Sequence, residues 1–223
     1  MKISFYGGAE AVTGANYIVD SGSKKFIVDC GLHQGSKYAE DLNYQPLGYN
    51  ASDISAVFIT HSHIDHVGRL PKLYKDGFRG VVYVTPATAD IMSVALPDNM
   101  NHITREAEQE GRDPLFNQHD LDGVLDLVRE VTYGEAIQLD ERVVARLHDA
   151  GHVLGSSIIE FEWTSPSVAV TQRIFFSGDL GNPPTPLLKP TEFIDIANYL
   201  VIESAYGDRV HEERPERRNM LAR

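Results

Sequence analysis

One nine-residue stretch, Thr60–Gly68, constrains the fold of this chain more than any other. It reads T-H-S-H-I-D-H-V-G, so three histidines and an aspartate fall within six residues. The preceding run Ala56–Thr60 is apolar and β-branched, as a buried strand requires. After Val67, apolar residues recur at the spacing of a helix, at Leu70, Leu73 and Tyr74. The cluster therefore lies where a buried strand passes into a helix.

The side chains of this cluster predict a metal site. His61 and His63 are two positions apart in extended chain, so their imidazoles leave the backbone on the same side. Asp65 and His66 follow at the helix entry, where the turning chain can aim them at the same point. Imidazole and carboxylate are ligands that suit Zn²⁺, and no thiol competes with them here. The alternative, scattered polar residues on a loop, explains this spacing less well.

Further candidate site residues follow other apolar strands. A glycine lets the backbone turn sharply before His152, which supplies a third imidazole. Asp179 follows the apolar run Phe175–Ser177, and a carboxylate at the end of a buried strand is costly unless it is paired or bound to metal. Glu203 repeats this arrangement after Val201-Ile202. The sequence therefore predicts that three separate strand ends contribute to one centre.

Length and composition are those of a soluble globular protein. The 223 residues suffice for one large domain, and the apolar fraction of 42% and charged fraction of 23% are ordinary for that class. No apolar run approaches membrane-spanning length, and the N-terminus lacks a basic segment followed by a hydrophobic one. The single cysteine, Cys30, excludes an internal disulfide and fits a reducing compartment. We therefore expect a cytoplasmic protein that does not cross a membrane.

The net charge argues against one class of partner. At −12 the chain is acidic, whereas proteins that bind nucleic acid usually carry a basic surface. A function on RNA therefore requires a phosphate-binding surface that is local or is supplied from outside this chain.

Three motifs resemble a known family. H-x-H-x-D-H, at residues 61–66, resembles the signature of the metallo-β-lactamase superfamily. D-A-G-H-V-L-G-S, at residues 149–156, resembles the β-CASP branch of that superfamily, the metal-dependent RNA-processing nucleases. E-S-A-Y-G-D-R, at residues 203–209, is similar to the E-S-T-Y-G-D-R element that marks this branch, and departs from it at Ala205. The match runs from about Ile3 to His211.

The resemblance implies a fold and a domain organisation. The fold is an α/β metallo-β-lactamase sandwich of four layers, αββα, with a helical insertion at about residues 87–130. The metal-binding domain takes residues 1–203, and residues 204–223 begin a β-CASP domain that is otherwise missing. The sandwich is therefore expected to be incomplete at its C-terminus.

The same resemblance implies a ligand set for two zinc ions. Three histidines hold the first zinc, an aspartate and a histidine hold the second, and another aspartate bridges them: His61, His63 and His152; Asp65 and His66; and Asp179. The implied catalytic residues are Asp65, which orients the attacking water, and Glu203, which pairs with a downstream histidine that protonates the leaving oxygen. Asp29 supports the histidine loop without contacting metal. That downstream histidine and the last ligand of the second zinc lie beyond Arg223, so one tight zinc site is expected here.

The function implied is that of a zinc-dependent hydrolase of RNA phosphodiesters, with this chain carrying the metal-binding half and weakly active alone. Acidic charge and short length favour an alternative, a standalone hydrolase of small esters, thioesters or lactones, but the E-S-A-Y-G-D-R element opposes it. A non-catalytic partner subunit is disfavoured, because every ligand position that the chain reaches is filled. Expected partners are RNA and the missing β-CASP domain, in the same polypeptide or as a separate chain. Homo-oligomerisation is left open.

Helical periodicity extends from Ala87 to Glu130, with two features of note. Pro97 is expected to interrupt the first helix, since proline removes a backbone donor. Leu121, Leu125 and Val128 predict a further amphipathic helix.

Overall fold

The computed structural model describes residues 1–165, 170–182 and 185–208. The predicted start of a second domain falls outside these ranges from residue 209 onward. Residues 211–223, whose charged sequence predicts a helical tail, lie outside them as well. Within them the chain forms two β-sheets and five α-helices.

The first sheet contains six strands in the order β1-β2-β3-β4-β5-β6. The β1–β2 and β2–β3 pairs are antiparallel, and β3 to β6 run parallel to one another. Their bounds are Lys2–Gly7, Asn16–Asp20, Lys25–Val28, Ile54–Phe58, Val81–Val84 and Val128–Glu130. The parallel strands β3 to β5 are mainly apolar on both faces, because helices cover one face and the second sheet covers the other.

The second sheet contains five strands in the order β11-β10-β9-β8-β7. All its pairs are antiparallel except β10–β11, which is parallel. In chain order, β7 to β11 span Ile137–Gln138, Val143–Asp149, Ser157–Thr164, Thr171–Phe176 and Tyr199–Val201. Because β10 and β11 are parallel, their carboxyl ends lie at the same edge of the sheet. This places Asp179 and Glu203 in one region.

The two sheets pack face to face over an aromatic core. Phe58 of the first sheet and Phe161 of the second meet edge to face, with ring centroids 5.1 Å apart. Alternate residues of β8, including Ala145 and Leu147, point into this core and are fully buried. The predicted sandwich is confirmed.

The helices lie beside the first sheet. Their bounds, from α1 to α5, are Lys37–Leu42, Ile64–Val67, Leu70–Lys75, Pro86–Gln109 and Gln118–Leu125. Residues of α2 to α5 pack with the outward side chains of β2 to β5 in one apolar cluster. No described helix follows α5, so the described ranges contain the layers αββ, and no described helix is long and apolar enough to span a lipid bilayer.

Two of the secondary-structure predictions are wrong. Pro97 lies inside α4, which continues through it to Gln109. Leu96 and Ala107 are fully buried on either side of the proline, and this packing outweighs one lost backbone hydrogen bond. Val128 belongs to β6 and not to a helix, because it pairs in parallel with Val82 at the edge of the first sheet. A three-residue strand is too short to show a period of two in the sequence.

Candidate metal centre

The histidine motif occupies the connection between β4 and α2, as predicted. His63 is extended, with φ −63° and ψ 145°, and serves as the N-cap of α2, so Asp65 and His66 lie in its first turn. A neighbouring loop fixes this connection through its backbone: the Cys30 amide donates to the His66 carbonyl at 2.7 Å. Gly31 packs so closely that a Cβ there would lie 1.5 Å from the Asp65 carbonyl oxygen. The motif is therefore held by backbone contacts as well as by its own hydrogen bonds.

Three histidines and one aspartate converge on a single point. Donor atoms of His61, His63, His152 and Asp179 all lie within 4.8 Å of one another. His63 Nδ1 is 3.0 Å from His61 Nε2 and 3.4 Å from His152 Nε2. Asp179 Oδ2 is 3.6 Å from His61 Nε2 and 3.5 Å from His152 Nε2. These four residues come from three separate strand ends, and their donor set could hold a metal ion.

The other oxygen of Asp179 faces a second group. Asp179 Oδ1 lies 3.3 Å from His66 Nε2, and Asp65 Oδ2 lies 3.7 Å from the same nitrogen. Asp179 thus presents one carboxylate oxygen to each of two adjacent groups of candidate ligands. This is the placement that a bridging carboxylate requires.

Asp29 orients the histidine loop from behind. It is fully buried, and its Oδ1 accepts a hydrogen bond from the Thr60 amide at 2.8 Å. Its Oδ2 accepts one from the Thr60 hydroxyl at 2.7 Å and lies 2.8 Å from His66 Nδ1. With Nδ1 engaged in this way, Nε2 of His66 is directed toward Asp65 and Asp179. Sequence reasoning missed Thr60, because nothing in the sequence shows that its hydroxyl meets a carboxylate 31 positions earlier.

Burial and neighbouring charges set the protonation of the site. Burial, together with the nearby His66, lowers the pKa of His61 to about 2, so its imidazole is neutral and its lone pair is available. Burial also opposes protonation of His66, but Asp29 and Asp179 outweigh it and raise the His66 pKa to about 10. Burial tends to raise the pKa of Asp179, yet the hydrogen bond and charge of His66 hold it well below its usual range. A metal that binds His66 therefore has to displace a proton.

Glu203 lies beside the centre but outside the group of converging donor atoms. Its Oε1 accepts a hydrogen bond from the Leu180 amide at 2.6 Å, and its own amide donates to the Ser177 hydroxyl at 3.0 Å. Burial and the neighbouring Asp179 raise the pKa of Glu203. Glu203 is thus anchored by the segment at residues 177–180, which also carries Asp179.

Asp65, His66 and Asp179 form part of one wall of a cavity of about 520 Å³. Besides Asp65, His66, Asp179 and Glu203, the cavity is lined by the loop at residues 8–12 and by three aromatic side chains: Phe5, Tyr17 and Phe176. Tyr17 stacks on Phe176 with ring centroids 5.8 Å apart. None of the described residues that line this cavity is a lysine or an arginine.

Comparison with known proteins agrees with this geometry. The model of the metallo-β-lactamase superfamily matches residues 11–192. A ribonuclease of Thermus thermophilus, TTHA0252, is 34% identical over 95% of this chain and 45% of its own length. Transcription termination factor FttA of Methanocaldococcus jannaschii is 29% identical over 100% of this chain and 34% of its own length. Cleavage and polyadenylation specificity factor 73 of Drosophila melanogaster is 29% identical over 98% and 31%.

This chain spans less than half the length of each of these relatives. The three relatives are named as a ribonuclease, a transcription termination factor and a cleavage and polyadenylation factor. These matches confirm the resemblance to the β-CASP branch that the motifs at residues 149–156 and 203–209 indicate. Because the family model covers most of the chain, including all the candidate ligands, the protein belongs to the metallo-β-lactamase superfamily.

Proposed function

We propose that this chain is the metal-binding half of a zinc-dependent hydrolase of RNA phosphodiesters. The observation that carries the proposal is the convergence of His61, His63, His152 and Asp179 donor atoms within 4.8 Å, with Asp65 and His66 adjacent. The names of the relatives, a ribonuclease among them, supply the substrate class.

The donor set fits zinc. Zinc ordinarily binds the nitrogen atoms of neutral imidazoles and the oxygen atoms of carboxylates. His61 is held neutral by its burial. We assign His61, His63 and His152 to one zinc and Asp65 and His66 to a second, with Asp179 between them. Bound zinc would lower the pKa of water to about 7 and offset charge on the phosphate.

Protein groups would do the remaining work. The Asp65 carboxylate, 22% exposed at its side chain, lies on the cavity wall where it can accept a hydrogen bond from the attacking water and orient it. Glu203 has a raised pKa and a fixed position beside Asp179, which suits a carboxylate that pairs with the group protonating the leaving oxygen. That group is expected in a β-CASP domain, of which residues 204–223 would be the start.

The apolar character of β11 supports an additional partner segment. Tyr199 and Leu200 are each more than half exposed, although they lie on opposite faces of the strand, and Ile202 just beyond it is 56% exposed. A strand that is apolar on both faces is typical of the interior of a sheet. We propose that a β-CASP-containing segment, in the same polypeptide or in a separate chain, covers this region and supplies the cationic surface for RNA. The whole assembly is expected in the cytoplasm.

Incubation with labelled single-stranded RNA and added zinc tests this function. Cleavage by the chain together with a β-CASP-containing partner segment, abolished by Asp179→Asn, is the expected result. A protein that binds zinc but does not cleave RNA under any such condition would contradict it.

One observation favours a second candidate, a hydrolase of small esters, thioesters or lactones. The described lining of the cavity has no lysine or arginine to contact a phosphate. A panel of thioesters and lactones, assayed in parallel with RNA, distinguishes the two. Metal analysis addresses the third candidate, a non-catalytic subunit, which would hold little zinc.

A further inference from the structure

The outer face of the second sheet carries a histidine that the proposed mechanism does not use. His148 lies near the end of β8, and its side chain is 15% exposed. Its Nε2 is 2.8 Å from Oε2 of Glu160, which is almost fully buried in β9. Its Nδ1 is 2.8 Å from Oε1 of Glu192, 44 residues further along the chain. One imidazole therefore joins the sheet to the segment at residues 189–192, which has no helix or strand of its own.

That segment packs directly on the turn at the end of β8, residues 149–151. The Glu192 amide donates to the Asp149 carbonyl at 2.8 Å, and the Thr191 hydroxyl donates to the Ala150 carbonyl at 2.9 Å. A Cβ at Gly151 would lie only 2.8 Å from both the Lys189 carbonyl oxygen and the Thr191 amide nitrogen. The backbone of residues 189–191 thus touches the backbone of the turn.

The next residue after this turn is His152, a proposed zinc ligand. Gly151, which precedes it, has φ +65°, in the left-handed region that glycine adopts without strain. The Gly181 amide also donates to the Ala150 carbonyl, at 2.9 Å. The turn is therefore held both by residues 189–192 and by Gly181, and its position sets the position of the His152 side chain.

We propose that His148 and Glu192 are positioning residues for the histidine-rich metal site. Their contact fixes the segment at residues 189–192 against the turn and so holds His152 in register with His61 and His63. The inference rests on the proposed metal centre. It differs from a purely structural account, in which His148 only helps Arg146 and Arg173 to neutralise the buried Glu160.

Two glutamates on this face allow a matched test. The Glu192 carboxylate lies 2.8 Å from His148 Nδ1 and accepts a hydrogen bond from the Asp149 amide at 3.3 Å, so it ties its segment to β8. Glu162 instead lies 3.6 Å from Arg146 and 3.4 Å from Arg173, on β8 and β10. Glu192→Ala and Glu162→Ala are purified metal-free, and zinc affinity is measured by competition with a chromophoric chelator. The visible absorption of the Co²⁺-loaded protein reports the geometry around the metal. Thermal unfolding of the metal-free forms reports stability.

We expect Glu192→Ala to lower the affinity for the tightest zinc by about 10-fold, the low end of the range for groups that orient metal ligands. It should also alter the Co²⁺ absorption, while Glu162→Ala changes neither. His148→Ala should lower zinc affinity similarly and, because it also removes the nearest partner of the buried Glu160, cost more thermal stability. The double variant His148→Ala/Glu192→Ala should bind zinc no more weakly than His148→Ala.

Equal effects of Glu192→Ala and Glu162→Ala on zinc affinity would overturn the inference, as would fully additive losses in the double variant. A wild-type chain that binds no zinc would overturn both this inference and the metal centre. RNA cleavage is not measured in this test, so a failure of the nuclease proposal alone does not alter its outcome.

Discussion

Oδ2 of Asp29 lies 2.8 Å from Nδ1 of His66, although the residues are 37 positions apart. Asp29 has a positive φ of 58°, which only a minority of non-glycine residues adopt, and it is fully buried. The strained backbone places its carboxylate where Thr60 and His66 both reach it. This one contact determines which nitrogen of His66 faces the metal centre.

Replacing Asp29 with Asn should therefore weaken the second zinc site selectively. An amide oxygen orients an imidazole less strongly than a carboxylate, and we expect the affinity for this zinc to fall by about 10- to 100-fold. Zinc titration monitored by calorimetry measures it. An unchanged second site would contradict the role given to Asp29, provided that circular dichroism shows an intact fold.

The first zinc should depend on the paired histidines. We expect His61→Ala or His63→Ala to remove most of the bound zinc, because each takes one imidazole from the same group of donor atoms. Metal content after purification is the measurement. His102→Ala is the matched control, since His102 is an exposed histidine on α4 whose side chain is 69% accessible. Full zinc occupancy in the double variant His61→Ala/His63→Ala would contradict the assignment.

Asp179 and Glu203 should separate in their effects on metal. Asp179→Asn is expected to weaken both zinc sites, because a neutral amide bridges two cations poorly. Glu203→Gln should leave metal content nearly unchanged, because its carboxylate is bonded to the Leu180 amide and lies outside the converging group. Metal content and RNA cleavage are measured together. Equal metal loss in the two variants would show that Glu203 is itself a ligand.

Stability should respond to pH through His148. Its imidazole faces Glu160 and Glu192, with Arg146 and Arg173 further along the same face, and the hydrogen bond to Glu160 is the main cause of its raised pKa. A group whose pKa is raised by folding stabilises the protein fully below its unfolded pKa, and that contribution disappears as the pH rises through the folded pKa. The free energy of unfolding that His148→Gln loses should thus be larger at about pH 6 than at about pH 9. Urea unfolding in the presence of a chelator measures it, and a loss independent of pH would contradict the charged state of His148.

The sequence predicts the local part of this site and not the tertiary part. His61 to His66 could be assigned because strand, motif and helix are contiguous, so local geometry brings the side chains together. The ends of β8, β10 and β11 could be identified as sources of site residues from apolar runs that precede His152, Asp179 and Glu203.

Contacts such as those of Thr60 with Asp29 and of His148 with Glu192 could not be predicted, because they depend on strand register and on a segment without regular structure. The predictions for Pro97 and Val128 are wrong for a related reason. Their conformations are decided by packing and pairing with residues far along the chain.

Zinc binding by the isolated chain should be unequal at the two sites. His61, His63, His152 and Asp179 provide four candidate donor atoms, the number that a tetrahedral zinc site requires. The second site has Asp65, His66 and a share of Asp179, and His66 carries a proton at neutral pH in the absence of metal, because Asp29 and Asp179 raise its pKa to about 10. A second zinc must displace that proton, so the affinity of the second site should rise with pH while the first zinc stays tightly bound.

We expect calorimetric titration of the metal-free chain to give one tight zinc and one weaker zinc, with poor RNA cleavage by the chain alone. A β-CASP-containing partner segment should tighten the second zinc and raise cleavage. Two equally tight sites together with strong nuclease activity in the chain alone would refute the dependence on a partner segment.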